Sequence, residues 1–265
     1  MSDLSSSAIE AALRGNFGRP CRYHDVVDST NSLAMQWAAD GAPEGSVVVT
    51  DHQTGGRGRW GRSWSSQPGR LLQFSVVLRP NLPMASAGLV ATAVGVAVAA
   101  GVESLTGLRT GIKWPNDVQV NGRKVSGNLI ETQAEGDVLS VAIAGVGINV
   151  GWTAEEIPAE IRERATSLAV EGAPAVDRAR LLASVLEALE MRTVASDVEL
   201  IEEATRRSVV IGRSVRIRYP DGRIEEGRAE AFDTAGALVL QTSSGPALVH
   251  LAEVEQVRET ERLFP

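Results

Sequence analysis

From Pro80 to Val102 the chain carries no charge: PNLPMASAGLVATAVGVAVAAGV. A stretch of this kind must leave water, and either lipid or the interior of the protein can receive it. As a helix it is about long enough to span a bilayer. Pro80, Asn81 and Pro83 break its start, however, and the rest is mostly Ala, Gly and Val with few large apolar residues. Small residues let a helix sit close under a neighbouring layer. The stretch therefore predicts a buried core helix over residues 85–105 packed beneath a sheet, with no membrane contact. A chain of 265 residues can enclose it in one large domain, or in a large one with a small partner.

The flanking segments supply the sheet. Residues 21–27, 45–53, 70–78 and 137–150 read as strands, and residues 112–131 carry the strongest hairpin signal, Asn121-Gly122 between alternating runs. That dipeptide favours a type I′ turn, which needs positive φ at both central residues. Helices are predicted at 5–14, 32–41, 154–164, 177–195 and 198–208, the second behind N-cap candidates in Asp28-Ser29-Thr30-Asn31. The reading is α+β, a mixed or antiparallel sheet flanked by helices. From Gly212 the texture changes to short strands between Pro-Asp-Gly, Thr-Ala-Gly and Ser-Ser-Gly-Pro turns, a small β-barrel of about 50 residues. The expected division is 1–210 and 211–265.

The richest local chemistry is TGGRGRWGRSW, Thr54 to Trp64, with four glycines and three arginines in a chain of net charge -7. No Asp or Glu lies between Asp51 and Glu103, so Arg57, Arg59, Arg62, Arg70 and Arg79 have no nearby carboxylate in sequence. Guanidinium forks suit phosphate and carboxylate, and glycines let backbone N–H groups approach an anion. The alternative is a solvated basic turn; three arginines on one glycine loop favour anion binding. Gly56 to Gly61 also fits G-x-G-x-x-G, but Ser63, Ser65, Ser66, Pro68 and Gly69 follow instead of a helix, and no acidic residue stands where a ribose would need one.

A second cluster surrounds the hairpin. With Asn121-Gly122 as a two-residue loop, Gln119 pairs with Lys124 and Asp117 with Ser126, placing Asp117, Gln119, Lys124 and Ser126 on one face. A carboxylate beside a lysine is a structural ion pair or, next to an arginine loop, a place for Mg²⁺ and phosphate. Gly145 to Val150 reads as a strand end where backbone approaches something closely, or as an ordinary tight turn. His52 is pocket lining or a strand end. The lone Cys21 permits no internal disulfide and fits a reducing cytosol, and it is expected to be buried. A pI near 5.2 argues against a general nucleic-acid binder. MSDLSSSAIEAALRGN has neither the basic start nor the apolar run of a signal peptide, so the expected location is the cytoplasm.

Taken together, these motifs resemble biotin protein ligases. The resemblance rests on Ser29-Thr30-Asn31, the run Gln53 to Arg62 with Trp64, Lys113-Trp114-Pro115-Asn116-Asp117, Gly122 to Gly127, Gly145 to Asn149 and Ala165-Thr166-Ser167-Leu168, all in the family's order. It implies a class II synthetase-like catalytic domain with a C-terminal SH3-like barrel. It also implies two steps: biotin and ATP give biotinyl-5′-AMP, then a lysine of a biotin carboxyl carrier domain takes the biotin. Ser29, Thr30, Asn31, Gln53, Gly56, Arg57, Gly58, Arg59, Lys124 and Gly127 would line the biotin pocket. Arg57, Arg59, Arg62, Trp64, Asn116, Lys124 and Asn149 would hold ATP and the adenylate. Arg59, Asp117 and Lys124 would carry the chemistry, with Asp117 on Mg²⁺ or on the carrier lysine.

Asn128 after Gly127, Ser126 in place of a common Ala, and Leu251-Ala252-Glu253 in place of a usual glycine depart from the pattern. Some members are repressors with an N-terminal helix-turn-helix domain. About 28 residues precede Ser29 here, too few for one, and no DNA binding is expected. The expected state is a monomer or a weak, ligand-promoted homodimer. The rival readings are a lipoate or octanoate ligase or transferase, and a non-catalytic ligand-binding module.

Overall fold

The computed structural model describes residues 3–260. Helix α1 (Ser6–Ala12) begins behind Ser5, whose side chain accepts from the Ala8 amide. It is followed by β1 (Cys21–Val27), α2 (Thr30–Ala39), β2 (Val47–Gln53), β3 (Leu71–Leu78), the short β4 (Leu82–Pro83) and α3 (Ala87–Thr106). Strands β5 (Gly111–Lys113), β6 (Asp117–Val120), β7 (Arg123–Glu135) and β8 (Val138–Asn149) complete an eight-stranded sheet in the order β1-β2-β3-β8-β7-β6-β5, with β4 against β8. Only β1 and β2 run parallel, so the sheet is mixed.

Both faces of this sheet are covered, which is why every residue of β3 is buried. On one face Val47, Val49, Leu72, Phe74 and Val76 meet α3 and α4 (Arg178–Thr193). On the other, Val48, Val77 and Ile143 meet Ala34, Trp37 and Ala38 of α2. The uncharged stretch is α3, buried within the protein along most of its length and ended by Gly107 at φ 74°. Its small residues have a specific use: a Cβ on Gly101 would come within 2.8 Å of the Val185 backbone in α4.

Residues 154–164 depart from expectation, forming a series of turns instead of a helix. Pro158 interrupts the donor series, and Ile157 is drawn into a small core with Leu71, Trp152 and Ala165. Helix α5 (Asp197–Arg207) does form, behind a capping box between Ser196 and Glu199.

Strands β9 (Ser214–Arg218), β10 (Ile224–Phe232), β11 (Leu238–Thr242), β12 (Gly245–Val249) and β13 (Gln256–Glu259) form a five-stranded antiparallel sheet in the order β12-β11-β10-β9-β13. Its core holds Val215, Ile217, Leu238, Leu240 and Val257, together with Trp114 from the large sheet's loop. The Trp114 indole donates to Gly236 O at 3.3 Å, so this motif tryptophan joins the two sheets.

Candidate active site

The site lies on the α2 side of the sheet, where β3, β8 and β7 expose glycines and polar groups between the helix and the arginine loop. In β3, Gln73 and Ser75 interrupt an otherwise apolar strand, and both are fully buried. Ser75 Oγ lies 2.6 Å from Asn31 Oδ1 and 2.7 Å from Thr30 Oγ1. The Thr30 amide donates to Gln53 Oε1 at 2.9 Å. Gln53 Nε2 donates to Gln73 Oε1 at 3.0 Å, and Gln73 Nε2 donates to Ser66 Oγ at 2.8 Å. His52 Nδ1 closes the chain on Ser66 at 3.1 Å. Ser29 precedes it, buried, as the N-cap of α2 without a side-chain cap bond. Buried polar groups need partners, and this network gives them partners while leaving its members rigid.

Two glycines of β8 make room for the opposite wall. A Cβ on Gly145 would collide with the Asn31 amide, and one on Gly147 with the Trp64 indole. Gly127 of β7 pairs with Gly147, and a Cβ there would come within 2.7 Å of Lys124 Nζ and 3.0 Å of the Trp64 ring. The glycine segment at residues 145–147 is thus a surface of close approach.

The hairpin turn has Asn121 at φ 50° and Gly122 at φ 77°, as a type I′ turn requires. The register differs from the simple ladder. A bulge at Val125 pairs Asp117 with Gly127 instead of Ser126. Ser126 is therefore turned into the interior, where its hydroxyl donates to Gly147 O at 2.8 Å. Lys124 and Asp117 still meet, Nζ to Oδ1 at 2.6 Å, with Trp64 5.4 Å from the ammonium. Lys124 is held by its backbone as well: its amide donates to Arg164 O, and its carbonyl accepts from Thr166 N, each at 2.8 Å. Asn116 donates to Asn128 O at 3.0 Å. Asn149 donates to Thr166 O at 2.8 Å, and its buried Oδ1 has no protein partner; neither has the buried Trp64 Nε1.

The arginine loop is not free. Arg57 reaches Glu131 at 3.1 Å and Ser32 Oγ at 3.2 Å. Arg59 donates to Leu251 O and Val254 O of the small β domain at 2.6 and 2.7 Å. The Trp60 indole donates to Val254 O at 2.8 Å, and Arg62 pairs with Glu255 at 2.9 Å. Burial pushes Arg59 down to about 10, against the upward pull of the Asp117 carboxylate. It stays protonated at neutral pH. Gly56 and Gly58 shape the turn: Gly56 O accepts from the Trp64 amide and the Gly58 amide donates to Arg62 O.

The fold brings part of the residues that the sequence singled out together in two clusters on this side of the sheet, while Arg59 and Arg62 reach the small β domain, and Arg70 and Arg79 are bound elsewhere, to Glu156 and to the carbonyls of Ala38 and Ala42. Thr30, Asn31, Gln53 and Arg57 cluster at one end; Lys124, Asp117, Trp64 and Asn149 cluster at the other. Glu131, Gln73 and Ser75 are members that the sequence reading passed over, and Thr166 entered it only within the Ala165–Leu168 motif, with no role assigned. Gln73 and Ser75 carried a signal, polar residues two apart in an apolar strand. Glu131 carried none.

Residues 23–149 match the biotin/lipoate A/B protein ligase family, and residues 210–258 match the biotin protein ligase C-terminal domain. The bifunctional ligase/repressor BirA of Bacillus subtilis is 37% identical over 95% of this chain and 79% of its own length. A biotin--[acetyl-CoA-carboxylase] ligase of Mycobacterium tuberculosis is 35% identical over 91% of each chain. The biotin protein ligase from Aquifex aeolicus, in complex with biotin and ATP, superposes with a TM-score of 0.75 and 30% identity, covering 91% of this chain and 99% of that one. Together with these two clusters, the likeness in sequence and fold over nearly the whole chain places the protein in the biotin protein ligase family.

Proposed function

We propose that the protein joins biotin to ATP as biotinyl-5′-AMP and passes the biotin to a lysine of a biotin carboxyl carrier domain. The observation that carries this reading is the pair of side-chain clusters on the α2 side of the sheet, the Thr30–Gln53–Ser75 network and the Lys124–Asp117 pair beside Trp64. Biotin's fused rings are apolar with a ureido edge, which calls for a few fixed donors and acceptors. The Thr30–Gln53–Ser75 network offers them, and Gly56 and Gly58 let backbone approach the same molecule. The biotin carboxylate then points toward Lys124.

In the first step a carboxylate oxygen attacks the α-phosphorus of ATP, and pyrophosphate leaves with the bond electrons. Two anions must meet, so fixed positive charge at Lys124 offsets their repulsion. Arg59 and Arg62 add to it once the loop leaves residues 251–255. The Asn149 Oδ1 acceptor suits the amino group of adenine, and Trp64 offers a ring face to the base. In the second step the carrier lysine, as a free amine, attacks the mixed anhydride and AMP leaves. Asp117, beside Lys124, would take a proton from the incoming ammonium.

Mg²⁺ would accompany ATP and screen its phosphates. Among the described residues no three His, Cys, Asp or Glu side chains cluster for a metal, and Asp117 is already paired with Lys124. Asp117 can thus add one carboxylate to an ion held mainly by phosphate oxygens, the usual mode for this ion. The thioester route of an octanoyl transferase has no support in Cys21. Burial raises its thiol to about 11, with Glu10 adding to the effect, so the thiolate is scarce at neutral pH.

The test is to incubate the protein with Mg-ATP, equal biotin and lipoate, and apo carrier domains of both kinds, and to read carrier intact mass. A biotin increment is expected on the biotin carrier alone. A lipoyl increment, or none on either carrier, defeats the proposal.

A further inference from the structure

Resting on the biotin reading, we infer that Glu131 is a positioning residue for biotin: it fixes the Asn31 amide and holds the arginine loop to the pocket rim through Arg57. Glu131 takes no part in the steps above. Its Oε2 accepts from Asn31 Nδ2 at 2.7 Å, and both its oxygens lie 3.1 Å from Arg57 Nη2.

An ionised carboxylate only accepts, so Asn31 must turn its NH₂ toward it. The second amide hydrogen goes to Leu129 O at 3.3 Å. Asn31 Oδ1 is thereby forced inward to Ser75 Oγ at 2.6 Å, over the hydrogen-only face of Gly145. The single hydroxyl hydrogen of Ser75 is committed to that carbonyl. Glu131 thus decides the polarity of the buried chain Asn31–Ser75–Thr30–Gln53 from its outer end. Asn31 is 4% exposed and Ser75 0%, so neither can settle its hydrogens against water.

The same carboxylate neutralises Arg57. The Arg57 and Glu131 side chains are 45% and 36% exposed, so their pairing contributes little to stability; its effect is on position. Arg57 sits on the α2 end of the groove, tied to Ser32 at the helix's first turn. Glu131 lies seven residues from Lys124 along β7, roughly 20 Å at the rise of a strand. Arg57 in this position supports the ring end of biotin and is remote from the phosphate. Lys124 serves that end.

The experiment compares wild type with Glu131→Gln and Glu131→Ala, alone and combined with Arg57→Ala. Biotin affinity is read by calorimetry without ATP, KM and kcat by carrier biotinylation, and loop order by amide exchange over residues 55–58. Biotin affinity should fall roughly tenfold in Glu131→Gln, the loss of one charge-assisted bond. The KM for biotin should rise in parallel, with a far smaller change in kcat and in the KM for ATP. Loop amides should exchange at least about fivefold faster, and Arg57→Ala should add little on the Glu131 background. Unchanged biotin affinity and loop exchange, or strictly additive effects, would overturn the assignment. Should Glu131→Ala fail to fold, the isosteric Gln variant decides. Should wild type bind no biotin, the functional reading fails, and the exchange and additivity arms alone still judge Glu131 as the loop's anchor.

Discussion

The Trp64 indole occupies the volume that a side chain at Gly147 would fill. Gly127, the cross-strand partner of Gly147, leaves the same clearance beneath Lys124 and the indole. Two glycines on adjacent strands therefore seat one aromatic ring, and its Nε1 is buried without a protein partner. Gly147→Ala must displace the ring or bend β8. Overpacking of this kind costs about 1–3 kcal/mol. The expected outcome is a modest fall in Tm, at least about tenfold lower biotinylation, and an altered tryptophan emission. Wild-type activity and emission would mean that the ring does not need that seat.

Lys124→Ala removes the ammonium that meets Asp117 and leaves that carboxylate without its 2.6 Å partner. Both side chains are about a quarter to a third exposed, so stability should change by under about 1 kcal/mol. Loss of a preorganised charge that acts on the transition state costs far more, roughly 10²–10³ in rate. Pyrophosphate release in the absence of carrier measures this step directly. Lys124→Arg should not restore it, because the planar fork needs space that Trp64 and Gly127 do not leave.

Arg59 spends both its short hydrogen bonds on Leu251 O and Val254 O, with Trp60 on the second of these carbonyls. The loop therefore has a docked arrangement on the small β domain, and on the proposed function Arg59 leaves it to cover the anhydride. Arg59→Gly removes both options. The adenylate should form but escape at least about tenfold faster, and appear as biotin on bystander lysines. A filter-binding measurement of adenylate dissociation decides; an unchanged rate removes the sealing role.

Much of this was legible from local rules. The uncharged stretch gave a buried helix because prolines break its start and its small residues suit close packing in a core, and Asn121-Gly122 gave the turn because its φ values are demanded by the backbone. The hairpin also brought Lys124 to Asp117, although the ladder assumed no bulge. The bulge at Val125 shifts the register so that Asp117 faces Gly127 and the buried Ser126 hydroxyl turns to Gly147 O, a displacement that regular alternation does not foresee. Residues 154–164 had helical composition, yet Ile157 is more useful as a plug beside Trp152 than on a helix face. The docking of Arg59 and Arg62 on residues 251–255 joins positions nearly two hundred apart in sequence, and periodicity has no access to that. Glu131 was silent for the same reason: its role depends on Arg57 and Asn31, which reach it from a loop and a helix.

The helical layer under the sheet has an acid-sensitive tie. Glu203 accepts from Arg192 at 2.7 Å and Arg207 at 3.0 Å, and Glu103 of α3 accepts from Arg207 at 2.7 Å. Burial alone would raise both carboxyls, but hydrogen bonds from the arginines, joined at Glu103 by the Thr110 amide and hydroxyl, outweigh it and hold them below 4.5. A depressed folded value contributes stability that is fully present above the unfolded value and is lost as pH falls through the folded one. The tie should therefore hold above about pH 4.5 and weaken in more acidic solution, loosening α5 from α3. Glu203→Gln should lower stability by about 1 kcal/mol at pH 7, a discounted figure for a partly exposed network. That corresponds to about 2–4 °C in Tm for a chain this long. Denaturant titrations of wild type and variant between pH 7 and pH 3 should converge at the acid end, because protonation removes from wild type what the substitution has already removed. Curves that stay parallel throughout would show that the Glu203 charge contributes nothing to the packing of α5.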